Sequence, residues 1–466
     1  MTSLKEDRKS RGKKETLYAF LFSLASKAIT YLLLLVFANL YLPEEYGLGT
    51  FALNIRNIVM MVAFIGLPDA LIPFVVKNKK TSLIINNLSA ITLVTFAIGL
   101  FLSAKYPWIL PLVITYPLIM LTSVASAFLR AEEKYHIPVR AGFTSIIIIL
   151  AAAYFLKSYE KIGVISAYAI GNLYAFFATA YPVRGRMNEV LSSLSIKKFF
   201  DFNNSKSYFV SAFFITIIAG MFMLLNWLNS TLLGVLGTFS QVAQFGIASA
   251  IAGVISVIPL SLSMFIITRS SQLIDTKKSV NLLHRVVRVS FFSSLLSSIL
   301  LVTLIPLLIR IFFPKYIGIE SSVSVLTLGI IFFSSYYIVY SYYIGKMKTQ
   351  KALIPIFLGV LINTLIAILT IKNYGILGAS VAISLAHLSV LIWMSRKERI
   401  KRITLASLLA IALIYVTYMV GYYGFIILIL TIPISLLFKI ITLEDIKVIK
   451  DAIFEVSYIK NIKKAN

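Results

Sequence analysis

The sequence predicts an all-α integral membrane protein of about 14 transmembrane helices, arranged as two six-helix lobes plus two C-terminal helices. Three observations predict it. Of 466 residues, 59% are apolar and only 13% charged, more apolar than the roughly 45 to 50% of an ordinary globular chain. The apolar residues gather in runs such as Leu17 to Tyr41 and Val286 to Ile309, long enough to cross about 30 Å of hydrocarbon as a helix. The basic residues fall mostly in alternate connections between those runs, the pattern the positive-inside rule describes.

Each element follows in chain order. A basic tail, residues 1–16, precedes the first lobe, 17–183. Its six spans are Leu17 to Tyr41, Leu48 to Val76, Ser82 to Ala104, Pro107 to Leu129, Val139 to Leu156 and Ile162 to Val183. The first run is too long for the apolar stretch of a cleaved signal peptide, and the next ones repeat it. Residues 184–206 form the longest connection and read as a cytoplasmic linker between lobes. The second lobe, 207–395, holds Ser207 to Leu228, Thr238 to Thr268, Val286 to Ile309, Ser321 to Gly345, Ala352 to Ile371 and Tyr374 to Ser395. Two more helices, Ile403 to Met419 and Tyr422 to Phe438, lie in 396–442. In the tail 443–466, Leu443, Ile446, Ile449, Ile453 and Val456 share a helical face, as in a helix lying on a membrane surface or packed against a bundle end.

Sorting the 44 Lys and Arg by side gives 36 on the side of the N-terminus, 6 on the other, and Lys27 and Arg56 inside spans. Both termini are therefore expected in the cytoplasm, with the chain in the plasma membrane. The net charge of +26 is spread over every alternate loop, which argues against nucleic acid as a partner and for attraction to anionic membrane lipids. There is no cysteine, hence no disulfide and no thiolate metal site. A P-loop, a His-Glu-x-x-His metal motif and a close aspartate pair are all missing. An enzyme is thus the weaker class, and no cofactor or metal is expected.

Two echoes suggest internal duplication. Tyr46-Gly47-Leu48 resembles Phe245-Gly246-Ile247, and Ile162 to Ala167 resembles Tyr374 to Ala379, at offsets of 199 and 212 residues. Such spacing fits parallel repeats, an arrangement used by transporters that rock two lobes around a central site.

The embedded polar residues give the candidate site. A cation at mid-membrane costs at least about 2.5 to 3.5 kcal/mol and normally faces a protein interior or a wet cavity. Lys27 lies near the middle of the first span, with Ser23 and Thr30 on its face; Arg56 lies in the outer half of the second, beside Asn54 and Asn57. Asp69 is the acid available to neutralise them. Span eight carries small residues along one stripe, among them Ser256, with Gln241 and Gln244 near its outer end, reading as close packing or as the wall of a substrate path. Pro68 and Pro259 should bend their spans. His387 reads as a packing residue, with proton relay as the alternative.

Leu42-Pro43-Glu44-Glu45-Tyr46-Gly47, Phe64-Ile65-Gly66-Leu67 and Asn373 to Ala379 together resemble polysaccharide flippases of the multidrug, oligosaccharidyl-lipid and polysaccharide exporter superfamily. The resemblance covers nearly the whole chain. It implies alternating access and a saccharide substrate on a polyprenyl or dolichyl (pyro)phosphate, with a polysaccharide polymerase or glycosyltransferases as associates. By similarity to the lipid II flippase branch, Lys27 and Arg56 would meet the phosphate. That branch also has a basic residue in span eight, where this chain offers only Arg269 at the cytoplasmic end. Many polysaccharide flippases carry an acid early in the second lobe, and this chain has Asn226. The alternatives are a cation-coupled multidrug antiporter of the same superfamily, which would need embedded carboxylates, and a membrane-bound glycosyl or oligosaccharyl transferase, which would need metal-binding acids on a loop.

Overall fold

A computed structural model describes residues 29–63, 81–132, 134, 136–193, 202–272, 276–346, 348–400, 402–438, 440–442 and 445. Lys27, Pro68, Asp69, the N-terminal tail and the C-terminal face beyond Asp445 lie outside them. Among the described residues every regular element is helical. Nine stretches are long and apolar enough to cross a membrane, so the described residues do not by themselves yield the count of fourteen. The chain divides into two compact units, Met1–Gly220 and Met221–Asn466.

In unit 1 the helices are α1 (Ile29–Leu40), α2 (Pro43–Ala63), α3 (Thr81–Lys105), α4 (Leu110–Ala131), α5 (His136–Phe155), α6 (Glu160–Ala180) and α7 (Arg184–Ser193). The first ten residues of the expected linker are therefore helical. The last helix of the unit, α8 (Phe202–Leu236), runs on into unit 2 and extends eight residues beyond the predicted end of span seven. Helix α6 is the centre of the unit, packing on α2, α4 and α5. Gly171 lies against the Ile149 side chain, and the Ser145 hydroxyl donates to its carbonyl (2.8 Å). Residues 149 and 171 are equidistant from position 160, so α5 and α6 form an antiparallel hairpin about that turn.

Unit 2 continues with α9 (Phe239–Gly253), α10 (Val257–Gln272), α11 (Thr276–Phe312), α12 (Glu320–Gly345), α13 (Leu353–Lys397), α14 (Ile403–Val420) and α15 (Gly424–Leu437). The predicted single span eight is broken into α9 and α10 by a 3-10 turn at Val254–Ser256. Pro259, three residues after the turn, has no backbone N–H to donate back to Ile255 and accounts for the break. Helix α12 is the hub, touching α9, α10, α11, α13 and α14. Small residues allow the approach: Gly329 sits against Ser384, whose hydroxyl donates to the Val325 carbonyl (2.8 Å).

Helix α13 is 45 residues long and bends back at Gly375 (φ 53°, ψ −127°). Gly359 meets the Val390 side chain across the bend, so its two arms are antiparallel. The same backbone conformation recurs at Gly421 (φ 57°, ψ −122°) between α14 and α15, and at Glu160 (φ 50°, ψ −130°) between α5 and α6. It matches the first central position of a type II′ turn, normally a glycine position. Three residues later a glycine follows each time: Gly163, Gly378 and Gly424. Gly163 abuts the Leu156 carbonyl and Gly378 the Thr370 carbonyl, so a Cβ at either would collide with backbone. The structural correspondence thus pairs Glu160 with Gly375 and Gly163 with Gly378, three residues later than the sequence echo suggested.

Cations over tyrosine rings mark helix ends: Lys105 over Tyr106 (5.6 Å), Lys157 over Tyr154 (5.1 Å) and Arg184 over Tyr181 (4.9 Å) in unit 1, and Lys351 over Tyr343 (5.6 Å) in unit 2. Such pairs place an apolar ring and a hydrated charge at the membrane-water boundary. In unit 2, Arg288 of α11 donates from Nε (2.9 Å) and Nη2 (2.8 Å) to the fully buried Asp445. Asp445 also accepts from the Thr442 backbone N–H and hydroxyl, the N3 half of a capping box.

Candidate functional site

Arg56 is the embedded cation whose side chain is described. It sits 13 residues into α2, where α4 and α6 close around the helix through Ala52, Leu53, Leu112 and Ile165. Its Nε (3.3 Å) and Nη2 (3.0 Å) both donate to the Asn57 side-chain oxygen. Its Nη1 is buried and has no hydrogen-bond partner. Among the described residues, the titratable groups that bear on it are the phenols of Tyr168 on α6 and Tyr116 on α4, and none is a carboxylate. A guanidinium has five N–H donors and no means of deprotonating in a protein, and the neutral Asn57 amide does not compensate its charge.

The neighbours divide the work. Asn57 orients the guanidinium; Asn54 is buried in the same helix. Tyr116 is buried and Tyr168 half-buried, with the Tyr168 ring 5.6 Å from Phe37. Neither tyrosine was singled out by the sequence, because a tyrosine in an apolar span reads as packing until its neighbour is known to be a cation. The available signal was a bulky polar-tipped residue facing inward on each of two spans.

The second-lobe candidates are not brought to one place. Asn226 is exposed and its amide donates to the Phe222 carbonyl one turn back (2.8 Å). One turn further along α8, Asn229 is fully buried and donates to the Asn363 side-chain oxygen (3.0 Å) and the Ala379 carbonyl (3.3 Å). Asn229 Oδ1 and Asn363 Nδ2 remain unpartnered. Gln241, read from the sequence as packing or as the wall of a path, completes a capping box with Thr238 (3.2 Å in both directions) at the start of α9. Its amide also fills the space beside Gly375 and Gly237. Gln244 is half-buried in α9; Ser256 donates to the Gly253 carbonyl (2.6 Å) within the 3-10 break. Arg269 falls in α10, its side chain outside what is described. His387 is buried, with Nδ1 3.0 Å from the Tyr336 hydroxyl, as a packing residue with a satisfied ring nitrogen would be. No group of three metal-ligating side chains occurs among the described residues.

No sequence-family profile matches the chain, and no curated protein matches it by sequence. Solved structures do. The lipid II flippase MurJ in an inward closed conformation superposes with a TM-score of 0.68 at 18% identity, over 90% of this chain and 98% of that one. A multidrug resistance MATE family transporter of the MOP superfamily matches in its inward-facing conformation at 0.63 and 12% identity, covering 83% and 95%. An outward-facing conformation of a MATE family transporter matches at 0.56 and 13%, covering 85% and 96%. Each of these is a flippase or a transporter. The chain therefore has the all-α membrane fold shared by the lipid II flippase and the MATE transporters of the MOP superfamily.

Proposed function

We propose that the protein flips a polyprenyl- or dolichyl-(pyro)phosphate-linked oligosaccharide from the cytoplasmic to the outer leaflet by alternating access, for cell-surface glycan synthesis. The observation that carries this reading is Arg56, a cation held inside an apolar unit with a buried Nη1 that has no hydrogen-bond partner and no carboxylate bearing on it among the described residues. Leaving such a group uncompensated costs several kcal/mol, and an incoming phosphate removes that cost through charge-assisted, bidentate hydrogen bonds. Tyr116 and Tyr168, whose phenols bear on the Arg56 charge, would donate hydroxyls to the same oxyanion. Lys27 of the first span and Arg269 of α10 are the further cations proposed along the phosphate's route.

A cation-coupled drug antiporter of the same fold would need carboxylates within the spans. Among the described residues the acids all lie outside the spans read from the sequence: Glu44, Glu45, Glu132, Glu160, Glu189, Glu320, Glu398 and Asp445. Replacing Lys27 by Met or Arg56 by Gln is expected to abolish complementation of a flippase-deficient strain while leaving expression and membrane insertion intact. Normal surface glycan in both variants would make the cations structural.

The orientation is proposed with both termini in the cytoplasm. Single cysteines at Ser10, Ser192 and Ser457 should be shielded from an impermeant reagent in intact cells. Ser230, the outer position suggested by the sequence, is buried in α8; the exposed Ser158 in the α5–α6 turn replaces it and should be labelled. Labelling at Ser192 without labelling at Ser158 reverses the topology.

A further inference from the structure

From residue 331 to 343, every residue of α12 is buried except Phe333, Tyr337 and Tyr340. Their spacing of four and then three places them on one face of the helix. Phe222 of α8 lies against all three, with ring centroids 6.4, 6.0 and 5.0 Å away. Phe333 stacks on Tyr337 at 5.2 Å, and Tyr337 is 6.0 Å from Tyr340. Behind this layer Tyr336 is fully buried and held by His387, so the rings rest on a fixed support. The result is a continuous aromatic sheet whose four rings are each partly exposed.

The exposed part does not suit acyl chains. Phe333 falls at the middle of the 26-residue α12, and Tyr337 lies about 6 Å from that level at 1.5 Å per residue, inside the hydrocarbon depth. A phenol hydroxyl there needs a polar partner. Asn226, one turn along α8 from Phe222, is the one exposed residue between 221 and 234, and an amide is equally out of place in lipid. A ligand for this surface must offer apolar faces to the rings and hydroxyls to Tyr337, Tyr340 and Asn226. A pyranose ring has both. An organic cation would also lie on the rings, but the acids of unit 2 that are described sit at helix ends, and Glu398 is already bonded to Tyr343 (2.7 Å).

We propose that Phe222, Phe333, Tyr337 and Tyr340, with Asn226, form a glycan-stacking face on which neutral sugar rings of the substrate rest during passage. This assignment rests on the flippase reading and names the part of unit 2 that meets the saccharide.

The test is saturation-transfer NMR on the full chain in nanodiscs, with maltotriose and N,N′-diacetylchitobiose as saccharide probes and tetraphenylphosphonium as the cation probe. At least one saccharide should receive saturation, and Tyr337→Leu/Tyr340→Leu should weaken it by about tenfold or more, on the scale of lost aromatic contacts. Tyr337→Phe/Tyr340→Phe, which keeps the rings and so guards against misfolding, should weaken it by a smaller factor. No transfer to either saccharide in the parent protein overturns the proposal. Undiminished transfer in both tyrosine variants, while Arg56→Gln still fails to complement, overturns the stacking face and leaves the flippase reading standing. Transfer to tetraphenylphosphonium alone, lost in the leucine variant, assigns the face to cation export and sinks both.

Discussion

Replacing Asp445 by alanine removes four hydrogen bonds at once: two from Arg288 and two from Thr442. Breaking a fully buried ion pair costs about 3 to 5 kcal/mol. Here Asp445 is fully buried but the Arg288 side chain is 28% exposed, so water recovers part of the loss and about 2 to 3 kcal/mol is the better figure. The cost should fall locally, on the segment that includes the buried Ile440 and Ile441, because α15 is held separately by its packing on α11. Hydrogen exchange of a peptide spanning 438–445, in nanodisc-embedded protein, should accelerate by roughly 30- to 150-fold. Arg288→Met/Asp445→Leu should restore much of the protection, since an apolar pair removes the desolvation cost on both sides. Burial alone would raise the Asp445 carboxyl, but the Arg288 and Thr442 hydrogen bonds and the Arg288 charge outweigh it and hold it below the usual carboxylate range. Its stabilisation is therefore present above the unfolded value of about 3.9 and is lost as pH falls through the depressed folded value. Equal exchange in Asp445→Ala and parent would show that the pair does not hold the segment.

Glu160→Gly should stabilise the protein by about 1 kcal/mol, because a non-glycine residue in that turn conformation carries strain of about 1 to 3 kcal/mol and glycine's greater unfolded-state entropy offsets part of the relief; an unchanged melting temperature would count against the strain. Gly378→Ala should destabilise by about 1 to 3 kcal/mol, since its Cβ would stand 2.6 Å from the Thr370 carbonyl oxygen; a melting temperature equal to the parent's would mean the turn relaxes freely. Arg56→Gln should leave thermal stability unchanged or raise it while abolishing complementation, and a large drop in melting temperature would instead mark Arg56 as a structural cation. Tyr336→Phe should cost about 1 kcal/mol by leaving the buried His387 Nδ1 without its partner, visible as a shift in thermal unfolding.

The spans were legible because membrane helices are long and apolar, and the structure moves most described boundaries by only a few residues. The sequence was weaker where a helix is apolar on every side. Along α8 no polar face sets the rotation, so Asn226 stood out while Asn229, three residues on, is the amide that reaches Asn363. Gln241 was ambiguous for a related reason: a polar side chain near a span end serves a cap as well as a cavity, and the cap it makes with Thr238 shows only in the structure. Arg56 was visible as a charge where none is expected, but its phenolic neighbours come from α4 and α6, far apart in the chain.

The bend at Gly375 also bears on how the protein enters its membrane. Drawn out straight, the 45 residues of α13 would measure about 68 Å, more than twice the hydrocarbon thickness of about 30 Å. The insertion machinery thus meets one unbroken apolar segment with Lys372 and Asn373 near its centre. In the proposed orientation that polar point lies on the outer side, so the two arms are expected to enter as a folded pair with the bend leading.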